Sequence, residues 1–314
     1  MHVRVRRFGT ALLLLAGVCA RAAVYPVPTE GDLVGTALDV VAAHDDTLID
    51  LARRYGLGYE EVVNANPGVD PWLPGEGTVV RMPLQRVLPD TPHEGIVVNL
   101  PEHRLYYYPP AKPGEARVVV TYPVSVGKMD WSTPLGLTKI QAKIKDPSWT
   151  PPESVRREHA EHGDILPKVV PAGPDNPLGL FAMRLAIPGG SYMIHGTNRP
   201  AGVGMQVTHG CMRLYPEHIE ELFKMVAVDT PVRLVNQPQK VGVSEGHLYV
   251  EVHPAMETTS SAVVRPDRMT LTRLVANTAR AKPSTGPILW ETVESAFGER
   301  RGMPVSVATT TPAQ

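Results

Sequence analysis

The stretch that decides the fold reads YMIHG at residues 192–196 and THGCMR at residues 208–213. The first arm has the pattern of a buried strand that ends at His195. The second arm predicts a tight turn at a glycine, which presents Cys211. We interpret the rest of the chain as a frame for these two arms.

A cysteine can act as an acyl-transfer nucleophile if it forms a thiolate, has a nearby base and faces donors for an oxyanion. Cys211 has neighbours for each requirement. His195 is the favoured base, because it comes from a separate strand and its second nitrogen can donate to a carbonyl such as that of Gly196. His209 is expected to support the turn or to help bind the anion. Gly210 allows a tight turn, so that backbone N–H groups beside Cys211 point at one spot.

Arg213 is a natural partner for a substrate carboxylate, through a bidentate contact. Two other interpretations stay open at this stage. His195, His209 and Cys211 could bind zinc together with water, although the paired-ligand spacings of metal sites are missing from the sequence. Alternatively, the histidines are ordinary hydrogen-bonded residues and Cys211 is a buried, inert thiol. We predict no metal and no cofactor.

Composition limits the class of protein. The chain has 314 residues, enough for about two domains. Its net charge of -1 makes nucleic acid an improbable partner. Proline is abundant, with 32 residues, and aromatic residues make up only 6%, which favours short strands and many turns.

Residues 1–22 have the pattern of a secretory signal peptide, with a basic start, a short apolar run and small residues before Ala22. The run is too short to be a permanent membrane anchor, so the mature chain is expected to lack an integral membrane segment. The alternative is a lipoprotein acylated at Cys19. Cleavage after Ala22 leaves Cys211 as one unpaired cysteine in an oxidising compartment, which suits an intermolecular bridge, a buried thiol or a nucleophile.

Residues 23–43 predict a linker with a short strand at residues 38–42, and residues 44–84 predict a small module. Together with that strand, the module has the order β-α-α-β. Asp46 can cap its first helix, which Gly56 ends. A second helix is predicted at residues 59–64 and a strand at residues 77–83. The alternative is a helical hairpin that only packs on the main domain.

Residues 94–236 predict a mainly β domain with α+β additions, either a β-sandwich or a partly closed barrel. Strands are expected at residues 96–100, 104–108, 118–126, 138–144, 181–185, 192–195 and 232–235, and helices at residues 153–161 and 217–226. The long Pro-rich connection at residues 146–179 carries Trp149, and we interpret it as a substrate wall. A solvated insertion is the alternative.

Residues 237–314 form a C-terminal region of less certain role. A strand is predicted at residues 248–252, helices at residues 268–279 and 288–297, and a disordered polar tail from Val307 onward.

The arms at residues 192–196 and 208–213 resemble the signature of L,D-transpeptidases with a YkuD-type catalytic domain. That signature is a His, a gap, then Ser or Thr-His-Gly-Cys, a hydrophobic residue, and Asn or Arg. Thr208 stands where Ser is commoner. The similarity is greatest to the Gram-negative periplasmic ErfK/YbiS/YcfS/YnhG group, and residues 44–84 resemble a LysM module, which binds glycans. Further family-like runs lie at residues 105–108, 133–136, 147–152, 173–179 and 194–197.

This resemblance implies a periplasmic enzyme that acts on peptidoglycan stem peptides. Cys211 would attack the bond between the diamino acid and D-Ala, and His195 would move the proton. The expected acceptor is the C-terminal Lys of a Braun-type outer-membrane lipoprotein. Substrate contacts are expected from Arg213, Thr208, Gly196 and Trp149.

Three other outcomes stay open: 3→3 cross-linking or D-amino-acid exchange, hydrolysis, and a non-catalytic cell-wall-binding protein with an idle cysteine. The sequence alone does not choose the acceptor, because lipoprotein anchoring, cross-linking and hydrolysis share the nucleophile.

Overall fold

The computed structural model describes residues 22–128, 133–188, 192–257, 265–281 and 286–308. The predicted signal peptide, apart from Ala22, therefore lies outside the described residues, together with Cys19 and residues 309–314 of the predicted tail. Across the described ranges, no helix has both the length and the apolar character needed to cross a membrane.

The described residues form eighteen strands and six α-helices. The strands are β1 (Ala23–Pro26), β2 (Leu33–Val34), β3 (Leu38–Val41), β4 (Val79–Met82), β5 (Arg86–Val87), β6 (Gly95–Asn99), β7 (Arg104–Tyr108), β8 (Val118–Pro123), β9 (Val126–Gly127), β10 (Gly136–Lys145), β11 (Phe181–Leu185), β12 (Met193–His195), β13 (Gln206–Thr208), β14 (Met212–Arg213), β15 (Pro231–Val235), β16 (Gln239–Ser244), β17 (His247–Val252) and β18 (Val305–Ala308). The helices are α1 (Leu48–Arg54), α2 (Tyr59–Ala65), α3 (Glu153–Glu161), α4 (Pro216–Met225), α5 (Arg268–Ala281) and α6 (Trp290–Glu299).

Nine strands form the main sheet, in the order β1-β8-β7-β6-β15-β10-β11-β12-β14. The sheet curls into a half-barrel, so the predicted mainly β, partly closed barrel architecture is confirmed. Its concave core contains apolar residues from strands and from α4, among them Ile194, Met212 and Leu222. The pairs β15–β6 and β12–β14 are parallel, whereas the other pairs of this sheet are antiparallel.

The segment that contains β3, α1, α2 and β4 has the predicted β-α-α-β order and its own small apolar core. The prediction of Asp46 as the helix cap was wrong. Thr47 caps α1, because its hydroxyl accepts from the Asp50 N–H while the Asp50 carboxylate accepts from the Thr47 N–H. Asp46 instead forms an ion pair with Arg54 at 2.6 Å.

A three-stranded sheet, β16-β17-β18, packs with α5 and α6 around a separate apolar cluster in the C-terminal region. The predicted disorder from Val307 was wrong for two residues. Val307 and Ala308 end β18 and are fully buried, because they pack against Leu248 and its neighbours.

Buried charges connect the three parts of the chain. Glu61 of α2 binds the Arg104 guanidinium of β7 at 2.6 Å. Lys240 of β16 pairs with Glu102 at 2.9 Å and with Glu251 of β17 at 2.8 Å. Because an unpaired buried charge is costly, these pairs fix the N-terminal and C-terminal parts against the main sheet.

Candidate active site

Strand register places the chemistry on one face of the sheet. In the parallel pair β12–β14, Ile194 lies opposite Met212, and His195 lies opposite Arg213. Ile194 and Met212 are fully buried in the core. Because side chains alternate along a strand, His195 and Arg213 face the other side, and Cys211, two residues before Arg213, faces that side with them. Cys211, His195 and Arg213 all line a cleft there.

Three hydrogen bonds hold the turn before Cys211. The Thr208 hydroxyl donates to the Cys211 carbonyl at 2.5 Å, and the Thr133 hydroxyl donates to the Gly210 carbonyl at 3.0 Å. The Lys128 N–H donates to the Thr208 carbonyl at 2.8 Å. Gly210 has φ of 92°, a left-handed conformation that favours glycine. The turn is therefore set by contacts with residues before β10 and not by its own sequence alone.

The imidazole of His195 is held in one tautomer. Its Nδ1 lies 2.7 Å from the Gly196 carbonyl, the contact that the sequence predicted. A carbonyl only accepts hydrogen bonds, so Nδ1 carries the proton and Nε2 of the neutral ring is the basic nitrogen. Burial, and secondly the nearby Arg213 charge, lower the pKa of His195 to about 3. The ring is therefore neutral at physiological pH.

Burial also raises the pKa of the Cys211 thiol above its usual value. The Met193 backbone N–H and the Arg213 charge act in the opposite direction, but more weakly. Burial lowers the pKa of Arg213 itself, although a guanidinium stays charged under all ordinary conditions. The resting state of the cleft thus holds a neutral thiol, a neutral imidazole and a cationic arginine.

The cleft has a volume of about 630 Å³. One of its walls is the Pro-rich segment, including Trp149, Pro151 and Val155, and the sheet supplies the opposite side. Trp149 and Val170 exchange backbone hydrogen bonds of 2.8 Å in each direction, which ties the two ends of this wall together. The predicted position of Trp149 in a wall beside the cysteine therefore matches its position in the structure.

His209 contacts the wall. Its Nε2 lies 2.7 Å from a carboxylate oxygen of Glu158 in α3. The other carboxylate oxygen of Glu158 accepts from the Lys128 ammonium. Hydrogen bonds from Lys128 and His209 lower the pKa of Glu158 to about 2. The carboxylate is therefore ionised at neutral pH and anchors both the turn and α3.

Comparison with known proteins indicates the same cysteine chemistry. A family model described as the L,D-transpeptidase catalytic domain, YkuD, matches residues 93–234. The chain is 38% identical to "Probable L,D-transpeptidase YbiS" of Escherichia coli, covering 97% of this chain and 99% of that protein. It is 38% identical to "Probable L,D-transpeptidase YcfS" of Escherichia coli, over 96% of this chain and 93% of that protein. It is also 36% identical to "Probable L,D-transpeptidase ErfK/SrfK" of Salmonella typhimurium, over 98% of this chain and 99% of that protein.

The chain belongs to the L,D-transpeptidase family. It is therefore a cysteine acyltransferase, as its sequence predicts.

The structure of this L,D-transpeptidase gathers most of the predicted site residues. Cys211, His195, His209, Thr208, Arg213 and Trp149 line the cleft. Gly196 does not line it; its carbonyl holds His195, and a Cβ there would come within 3.0 Å of Ile219. Its predicted role in substrate contact therefore has no support from its position.

Sequence reasoning assigned no role to several residues that line the cleft or contact the turn beside it. Glu158 and Lys128 come from segments far from the signature, and Thr133 lay in a family-like run without an assigned role. Arg184 also lines the cleft. Its one available signal is that it is the charged residue of an otherwise apolar strand, FAMRL at β11.

The zinc interpretation receives no support from side-chain placement. Among the described residues, the group of three whose potential ligand atoms converge within 4.8 Å is Glu102, Glu251 and His253, away from the cleft. The ammonium of Lys240 pairs with both carboxylates of that group. At the cleft, His209 is hydrogen-bonded to Glu158 instead.

Proposed function

We propose that Cys211 attacks the carbonyl between the diamino acid and D-Ala of a peptidoglycan tetrapeptide stem. His195 Nε2 takes the thiol proton, a bond forms between Sγ and the carbonyl carbon, and backbone N–H groups of Gly210 and Cys211 stabilise the oxyanion. The C–N bond then breaks, and His195 returns the proton to the departing D-Ala amine. A thioester on Cys211 remains.

The observation that carries this proposal is the joint placement of Cys211 and a single-tautomer His195 on one face of the sheet, within a cleft. A base with an unprotonated Nε2 and a neutral thiol is ready for proton transfer when substrate arrives. Arg213, which follows on the same face, suits the carboxylate of the departing D-Ala. Thr208 contributes through the turn, since its hydroxyl holds the Cys211 carbonyl.

The second half of the reaction transfers the stem to an amine. The proposed acceptor is the C-terminal Lys of a Braun-type outer-membrane lipoprotein, whose Nζ attacks the thioester, forms an amide and releases the thiol. This assignment is supported by the identity of 36–38% to proteins named YbiS, YcfS and ErfK/SrfK over nearly their full lengths. A periplasmic location agrees with it, because both substrates lie there.

The N-terminal β-α-α-β segment is proposed to bind peptidoglycan glycan as a LysM-like module. Its element order and independent apolar core support this role. Exposed Trp72 and Leu73 on its loop offer apolar surface to a sugar ring.

The test is intact-mass analysis of the protein with a disaccharide-tetrapeptide donor. We expect an adduct equal to the donor minus D-Ala on the wild type and none on Cys211→Ala. A lipoprotein C-terminal peptide should then discharge the adduct, whereas the same peptide ending in Arg should not. If a second stem, a D-amino acid or water discharges the adduct and the Lys peptide does not, the acceptor assignment is wrong. If no adduct forms and no D-Ala is released, the nucleophile assignment is wrong as well.

A further inference from the structure

Arg184 occupies a defined place relative to Cys211. In the antiparallel pair β11–β12, Arg184 lies opposite Met193, and Ala182 lies opposite His195. Met183, between them, is fully buried in the core. By alternation, Arg184 faces the cleft in the same row as Met193 and Cys211, so its Cα lies two strand spacings, about 10 Å, from that of Cys211.

The charge of Arg184 is uncompensated. Arg184 is exposed and lines the cleft, and within the described ranges it forms no ion pair. Arg213 likewise has no ion pair there, and its buried Nε has no hydrogen-bond partner. Glu158, the acid close to this cleft, is already bound by Lys128 and His209. Two guanidinium groups therefore flank the thiol without a carboxylate from the described chain.

The two arginines lie in different directions from the thiol. Arg213 is two residues along the same strand, about 7 Å away, whereas Arg184 lies across the sheet. A donor stem has carboxylates on both sides of the attacked carbonyl. That of D-Ala is close, and the one at the end of a diaminopimelate side chain is five C–C bonds, about 6 Å, from its α carbon. The nearer arginine suits the first carboxylate and the farther one suits the second.

We propose that Arg184 binds the side-chain carboxylate of the diamino acid in the donor stem and so selects stems that carry it free. This inference rests on the proposed function, because it assumes that Cys211 attacks the bond between that residue and D-Ala. A guanidinium is suited to the task, since its planar fork binds a carboxylate through two parallel hydrogen bonds. Amidation of this carboxylate, or its absence in a lysine stem, removes the pair of oxygen atoms that accepts these two hydrogen bonds.

The test compares three donors that differ only at the third residue: diaminopimelate, its side-chain amide, and lysine. D-Ala release is measured under steady-state conditions for the wild type, Arg184→Gln and Arg184→Lys. Arg273→Gln is the matched control, because Arg273 is exposed on α5 outside the cleft. We expect the wild type and the control to prefer the free carboxylate by about 10- to 100-fold in kcat/KM.

Arg184→Gln should abolish that preference through a higher KM for the free-carboxylate donor, with kcat and the amide donor almost unchanged. Arg184→Lys should keep part of it, because the charge stays but the fork is lost. Equal loss on all three donors, or a preference that survives in Arg184→Gln, would overturn the inference.

A second experiment decides whether Arg184 binds a carboxylate of the donor stem or of the acceptor peptide. Preformed thioester is mixed with the Lys-ending acceptor peptide, which has a C-terminal carboxylate of its own. An Arg184→Gln defect confined to this transfer step would place the arginine at the acceptor and overturn the donor assignment. If the wild type releases no D-Ala from any donor, the proposed function fails together with this inference; if it turns over all three donors equally, only this inference fails.

Discussion

Cys211 and His195 are predicted to rest as a neutral thiol–imidazole pair. An ordinary thiol with a pKa of about 8.5 is about 3% thiolate at pH 7. Burial raises the pKa of Cys211, so its thiolate fraction is smaller still. With the pKa of His195 at about 3, about one ring in ten thousand is protonated at pH 7. The alternative, a thiolate–imidazolium pair at rest, requires both shifts in the opposite direction.

Alkylation kinetics measure the thiolate directly. In a protein with Cys19→Ser, the iodoacetamide rate at Cys211 should rise about tenfold for each pH unit between 6 and 8, without a plateau near neutrality. Cys211→Ala controls for labelling elsewhere. The pH profile of kcat/KM should also lack a limb from His195 between pH 5 and 7, because that group titrates near 3. A reactivity plateau whose midpoint lies below pH 7 would refute the neutral pair.

Three further predictions concern ion pairs. Lys240→Met should lower the free energy of unfolding in urea by about 3–5 kcal/mol, because it leaves buried Glu102 without its ammonium; Lys224→Met, at an exposed pair, should change it by less than about 0.5 kcal/mol. Burial alone would raise the pKa of Glu102, but the charges of Lys240 and Arg86 and the other nearby donors together outweigh it and lower this pKa to about 2. The contribution of Glu102 to stability is present above the unfolded pKa of about 4.3 and should be lost as pH falls toward 2, which urea midpoints measure. Glu158→Gln should reduce kcat/KM for D-Ala release about tenfold, because this carboxylate orients His209. The melting temperature should be nearly unchanged, because the carboxylate is half-exposed. An unchanged kcat/KM would exclude the orienting role of Glu158.

Local patterns predicted the elements whose neighbours in space are also neighbours in sequence. The hairpin of β6 and β7 follows from two apolar runs around a short turn, and α3 matches its predicted bounds. The sequence did not reveal β16, because Lys240 interrupts its apolar pattern. That lysine is buried only because Glu102 and Glu251, distant in sequence, meet it there. No local pattern contains this information.

The residues of the site also divide into those that a local pattern predicted and those that only the fold brings together. Cys211, His195 and His209 belong to one short signature, so their types and spacing indicate their chemistry. Glu158 contacts His209 from a wall helix, and Arg184 lines the cleft from a neighbouring strand. Many exposed charges in the chain have similar sequence surroundings, and only the fold decides which of them face the cleft.

The apolar core is what holds the reactive residues in place. The pairing of Ile194 with Met212 puts both side chains in the core and, on the opposite face, brings His195 beside Arg213. A slip of one residue in either strand would reverse its faces, bury a charged or polar side chain and expose an apolar one. The register that is favourable for the core is therefore the same register that places the Cys211 row beside its base. Since this pairing spans only two residues of β14, the buried side chain of Met212 helps to fix the register that places Cys211 and His195 on one face.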